Sequence, residues 1–108
     1  MGMNLAWVYL ILAGVFEVAF AIALKFSHGF TRLWPSVFVF VGGFASLWLL
    51  AQAVKTLPIG TAYAVWTGIG AVGTVLVGVL FLSEPRYALR LLSILLIVAG
   101  ITGLRLSS

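Results

Sequence analysis

LAWVYLILAGVFEVAFAIAL, residues 5–24, is the stretch that decides the fold. It is apolar on every side and holds a single charged group, Glu17. A helix rises about 1.5 Å per residue, so about 20 residues cross a hydrocarbon core of about 30 Å. Three comparable runs follow, at residues 34–54, 59–82 and 87–104. Lys25, Lys55, Ser83-Glu84-Pro85 and Arg105 close the four runs, and the connections are short. Lipid cannot satisfy open backbone groups, so a spanning segment is a helix or part of a closed barrel. Barrel strands have about 9–11 residues of alternating polarity, which these runs do not resemble. The expected fold class is therefore an all-α membrane protein, with residues 1–108 forming one four-helix transmembrane domain. Ser83 is expected to cap the fourth helix, with Glu84 at its positive end and Pro85 in its first turn. Pro58 is placed in the first turn of the third.

Composition agrees. Hydrophobic residues make up 64% of the chain and charged residues 7%, against roughly a quarter charged in soluble domains. The first run is too long for a signal-peptide core, contains Glu17 and has no basic region before it, so it reads as a retained span. Without cysteine, a disulfide framework, a zinc finger and a thiol nucleophile are excluded. The net charge of +4 is scattered over connections and span ends, where basic side chains act as headgroup anchors. Nucleic-acid binding needs a clustered basic surface, which is absent.

Four spans place both termini on one side. Lys55 and Arg105 share that side with the N-terminal amine, while Lys25, Arg32, Arg86 and Arg90 share the other. The bias is weak, favours termini outside, and admits insertion in both orientations. No internal repeat is evident. Many transporters are built from two inverted halves, and this chain has the size of one half.

Glu17 is the residue to explain. A carboxylate at the bilayer centre costs at least about 2.5–3.5 kcal/mol on insertion scales. It must face protein or water, and a group there is placed to exchange protons with a cation. The plainer role is a protonated helix–helix hydrogen bond. Ala13, Gly14, Phe20 and Ala21 share its side of the helix at three- and four-residue spacings. Tyr63, Trp66 and Thr67 recur at helical spacing in the third run. Their aromatic faces attract cations, and the phenol and indole can donate to a carboxylate; membrane anchoring is the other role of such residues. Trp7 and Trp34, close to span ends, suit anchoring better. Gly68, Gly70, Gly73 and Gly78 permit a hinge or close packing. Gly42, Gly43 and Ser46 form a small strip on the second run, from which Ser46 can reach Glu17 or its own backbone. His28 is read as solvated. No metal-ligand cluster, catalytic triad or phosphate-binding loop is present, so neither an enzyme nor a cofactor is expected.

Three longer stretches resemble one family. They are Glu17 to Lys25, the connection Ser27 to Ser36, and Leu57-Pro58-Ile59-Gly60-Thr61-Ala62-Tyr63-Ala64-Val65-Trp66-Thr67-Gly68-Ile69-Gly70. The chain is similar to the small multidrug resistance transporters over nearly its whole length. The resemblance implies an antiparallel dual-topology homodimer in a bacterial-type plasma (inner) membrane, exchanging protons for small organic cations by alternating access. It implies that Glu17 of both subunits binds proton or substrate, with Phe20, Ser46, Tyr63 and Trp66 in the pocket; the residues themselves put Gly14, Gly68 and Gly70 in hinge or packing roles. Lys55-Thr56-Leu57-Pro58 and Gly68-Ile69-Gly70-Ala71-Val72-Gly73 look like the guanidinium-exporter branch. That branch usually carries tryptophan where this chain has Phe20, a change that removes an indole N–H and widens the pocket.

The expected function is export of guanidinium and substituted guanidiniums. The alternatives are a broader quaternary ammonium or multidrug exporter, a non-transporting accessory subunit, and a small channel, for which the sequence lacks a continuous polar stripe.

Overall fold

The computed structural model describes residues 2–107, with side chains from Leu5 to Ser107. It consists of four helices, α1 (Gly2–Phe26), α2 (Leu33–Ala53), α3 (Ile59–Phe81) and α4 (Ala88–Leu106). Each contains a stretch long and apolar enough to cross a membrane. The polar punctuation that ends each apolar run ends each helix to within about two residues, because a backbone in lipid can stop being helical only where water or protein takes over its hydrogen bonds.

α1 is the central element. It packs along α2 and α3, whereas α4 leans on α3 and has no buried residue. The chain is thin, 41 × 34 × 17 Å, and broad aromatic and aliphatic surfaces on all four helices are exposed. In lipid such surfaces need no cover, since hydrocarbon outside matches hydrocarbon inside. The buried cluster lies between the start of α1, the end of α2 and the start of α3: Ala6, Trp7, Leu10, Ala53, Leu57, Ala62 and Val65. Small residues dominate the α1 contacts because close backbone approach, not burial of area, holds membrane helices together.

The α1–α2 connection is a tight loop around Ser27, which is fully buried. Its hydroxyl donates to the Leu24 carbonyl at 2.7 Å and accepts from the Phe30 N–H at 3.1 Å. His28, Gly29 and Phe30 follow in the left-handed region, and His28 is exposed.

Two helix starts differ from expectation. Ser83, Glu84 and Pro85 lie outside α4, whose N-cap is Tyr87. Ser83 is left-handed, with φ 56°. The Glu84 N–H donates back to the Gly78 carbonyl at 3.0 Å, so this segment closes α3 in place of opening α4. The Glu84 carboxylate lies against Gly78 and pairs with Arg90 at 2.8 Å. Pro58 is the N-cap of α3 and not part of its first turn.

Candidate functional site

Glu17 lies about 18 Å along α1 from Leu5 and about 14 Å from Phe26, at 1.5 Å per residue. That is the middle of a hydrocarbon core about 30 Å thick. Its side chain is half-buried and reaches α3, where the Oε1 atom occupies the space a Cβ on Gly70 would need. Only glycine there lets the carboxylate lie against the α3 backbone. Among the described residues no side chain or backbone N–H donates to it, and the ion pair present is the distant Arg90–Glu84.

One turn away, the three helices are tied by a relay. The Trp66 indole N–H donates to the Ser46 hydroxyl at 2.8 Å. Ser46 in turn donates to the Ala13 carbonyl of α1 at 2.6 Å. Ala13 precedes Glu17 by one turn, and Trp66 precedes Gly70 by one turn, so relay and carboxylate occupy adjacent levels of the bundle. Ser46 is 2% exposed, and its single proton is committed. It bonds neither Glu17 nor its own helix, the two partners expected from the sequence. The reason is that α1 comes close enough to offer its own carbonyl. Gly42 and Gly43 make that approach possible. A Cβ on Gly42 would be 3.6 Å from the Phe20 backbone, and one on Gly43 would be 3.3 Å from the Phe20 ring. Phe20 therefore packs across the α2 glycines beside Glu17.

The Tyr63 and Trp66 rings meet at 5.5 Å between centroids, tilted by 57° to each other. Tyr63 is 57% exposed, while Trp66 is half-buried through its bond to Ser46. Tyr63 and Gly70 are seven residues apart and share a face of α3. The Thr67 hydroxyl is turned back to its own helix, donating to the Tyr63 carbonyl at 2.8 Å. The remaining glycines are close-packing points. A Cβ on Gly14 would be 2.7 Å from the Ile69 Cβ, and one on Gly68 would be 2.9 Å from the Ile101 Cδ1. α3 runs unbroken through Gly68 and Gly70.

Trp7 departs from its expected role. It is 6% exposed, within the core, and is not an interfacial anchor. The Arg105 guanidinium sits 5.0 Å above its ring, a cation–π contact that brings the end of α4 to the start of α1. Trp34, 68% exposed at the start of α2, is free to anchor. The residue that sequence reasoning underrates is Ala13. It reads as a spacer, but its carbonyl is the acceptor that fixes Ser46, and no side-chain signal marks a carbonyl.

The chain is similar to known proteins over nearly its whole length. Residues 5–97 match the family described as Small Multidrug Resistance protein. The chain is 57% identical over 104 residues to the guanidinium exporter of Yersinia pestis, covering 96% of this chain and 100% of that protein. It is 54% identical over 104 residues to the guanidinium exporter of Citrobacter freundii, covering 96% and 99% of the two chains.

Proposed function

The chain belongs to the small multidrug resistance family, and from that premise we propose that it exports guanidinium and substituted guanidiniums in exchange for protons. The observation that carries this reading is the Glu17 carboxylate, held at mid-membrane against Gly70 with no donor from the described residues. A carboxylate left without donors accepts the forked N–H groups of a planar guanidinium, a geometry that such cations form with carboxylates in two parallel bonds. Tyr63 and Trp66 supply aromatic surface for the flat faces of the cation.

The chain works as an antiparallel homodimer in the plasma (inner) membrane. A single copy is 17 Å thin and leaves Glu17 half-buried, which suits a site that a second copy completes. The near-balanced basic residues permit both orientations. Deprotonated Glu17 pairs bind the cation, the dimer reopens to the other side, and protons displace the cargo. Coupling follows because proton and cation compete for the same oxygens.

A second reading, export of quaternary ammonium ions, draws on Phe20. The ring lacks an N–H to orient the carboxylate, and such cations need aromatic surface in place of donors. Solid-supported-membrane electrophysiology on proteoliposomes decides between them. Guanidinium currents that reverse with the proton gradient and vanish in Glu17→Gln are expected. Larger currents with a tetraalkylammonium would choose the second reading. Exchange retained in Glu17→Gln would overturn both.

A further inference from the structure

The chain has a wide concavity that is not at Glu17. It is an open groove of about 1150 Å³ on the other side of α1. Phe16 and Val18 both line it, while Glu17 between them does not. Successive helix residues point about 100° apart, so a residue missing from between two liners leaves the helix on the far side. α1 and α3 form the floor, and α2 and α4, which do not pack on each other, form the flanks. The lining is hydrocarbon and glycine except for Thr102, whose hydroxyl is already bonded to the Val98 carbonyl at 2.9 Å.

Length and charge identify the occupant. On α1 the groove runs from Val15 to Phe26, about 16 Å of helix, which matches one leaflet of a core about 30 Å thick. On α2 it covers Pro35 to Gly42, and on α3 Ile69 to Val77. These three stretches are the halves next to the connections 27–32 and 82–87, and the α4 liners Val98, Ile101 and Thr102, level with Gly68 of α3, flank the deep end. The connection end of the bundle carries Lys25, Arg32, Arg86 and Arg90. Its one acid, Glu84, is taken up by Arg90. Lys25 and Arg32, at the ends of the helices that line the groove, are exposed. The groove is thus a hydrocarbon slot of about one leaflet that runs to the end of the bundle carrying these cations.

We propose that this groove is a binding site for an anionic phospholipid, with acyl chain along α1 and α3 and phosphate held by Lys25 and Arg32. The assignment rests on the proposed function in one respect. There the second copy meets the Glu17 face, which leaves the opposite face to lipid. In an antiparallel pair the two grooves then lie in opposite leaflets.

Each basic side chain near a membrane surface favours anionic lipid by roughly fivefold, so the pair should give roughly 25-fold. The test is native mass spectrometry of the full chain released from vesicles of equal phosphatidylglycerol and phosphatidylcholine. The wild type should retain phosphatidylglycerol in an excess of about that size. The double variant Lys25→Gln/Arg32→Gln should fall to near parity. Ala19→Phe/Ala23→Phe, which fills the floor, should lose both lipids. Glu17→Gln should retain lipid as the wild type does, so loss of transport and loss of lipid are separately readable. Equal retention of the two lipids by the wild type would overturn the proposal, as would an unchanged preference in the charge variant. If the filled variant changes the mass of the assembly and not its lipid content, the groove belongs to a second copy and the proposal falls. Should the filled variant not fold, the charge variant decides alone.

Discussion

Gly70→Ala separates the position of the Glu17 carboxylate from its presence. A Cβ at residue 70 would overlap Oε1 and stand 2.6 Å from the carboxyl carbon and 3.1 Å from Cγ. The obstacle is the free end of a flexible side chain, so the fold need not yield. The carboxyl carbon has to retreat by about 0.8 Å to reach ordinary contact at 3.4 Å, and Oε1, the nearer atom, by more. Holding Glu17 off its preferred rotamer costs about 0.5–1.5 kcal/mol, a small loss of stability. The functional cost is larger, because a misplacement of about 1 Å in a positioning group can cost about 100-fold. Guanidinium affinity should fall by roughly ten- to a hundredfold, which is about 1.4–2.7 kcal/mol. Gly73→Ala is the control. Its Cβ would overlap the Val18 Cγ2, and a β-branched side chain has little rotamer freedom in a helix. Overpacking of this kind costs about 1–3 kcal/mol, and its nearest contact is Val18, not the Glu17 carboxylate. Tryptophan-fluorescence titration with guanidinium, paired with thermal unfolding in detergent, reads both quantities. If Gly70→Ala binds guanidinium within twofold of the wild type, contact between the carboxylate and the α3 backbone does not set affinity, and the reasoning is wrong.

Three other outcomes follow from the same geometry. Ser46→Ala leaves the Trp66 N–H and the Ala13 carbonyl without their partner, and thermal unfolding should register a loss of about 1–3 kcal/mol. Trp7→Phe removes the one buried side-chain N–H that lacks an acceptor among the described residues and keeps a ring beneath Arg105. It should destabilise much less than Arg105→Gln combined with Trp7→Leu, which removes a cation–π contact worth about 0.5–2 kcal/mol along with the ring. If proton and cation share the Glu17 oxygens as proposed, apparent guanidinium affinity should rise with pH and level off once the site is deprotonated. A pH-independent titration would separate the two ligands.

The helices were legible from sequence because lipid imposes one rule on every residue of a span, and a run of 20 apolar residues satisfies it without help from tertiary structure. What was not legible depends on which helix stands opposite. Ser83-Glu84-Pro85 carries the signature of a helix start, but the same three residues serve as the end of α3. A left-handed Ser83 and the Gly78 carbonyl capture the chain first, and Arg90 then holds Glu84 in place. Cap preferences are local, and when two helix ends lie a few residues apart they cannot say which end is being satisfied. Ser46 shows the same limit inside a span. A serine in a helix usually bonds its own backbone; here the glycine strip lets α1 in and changes the partner. Trp7 sits near a span end, where tryptophan commonly anchors, yet Arg105 from the far end of the chain covers it. The prominence of Glu17 was plain from its depth, while its seat against Gly70 required the register of α1 on α3.

That register explains why the site suits a cation rich in donors. Each donor of the neighbouring relay is already committed. The indole of Trp66 serves Ser46, Ser46 serves Ala13, and Thr67 serves Tyr63. Phe20, packed on the α2 glycines, has no N–H to give. On this face the Tyr63 hydroxyl is the donor with no acceptor among the described residues, and it stands two turns of α3 from Gly70. A carboxylate in hydrocarbon with so few donors is stable only when something brings N–H or O–H groups to it: a proton, or a ligand that carries its own. Guanidinium brings a planar fork of them, and a quaternary ammonium brings none. In the proposed site the chain discriminates through what it withholds. With the chain's donors spent within and between α1, α2 and α3, Glu17 in the proposed site depends on the cargo for satisfaction, and the same dependence makes a proton the natural competitor.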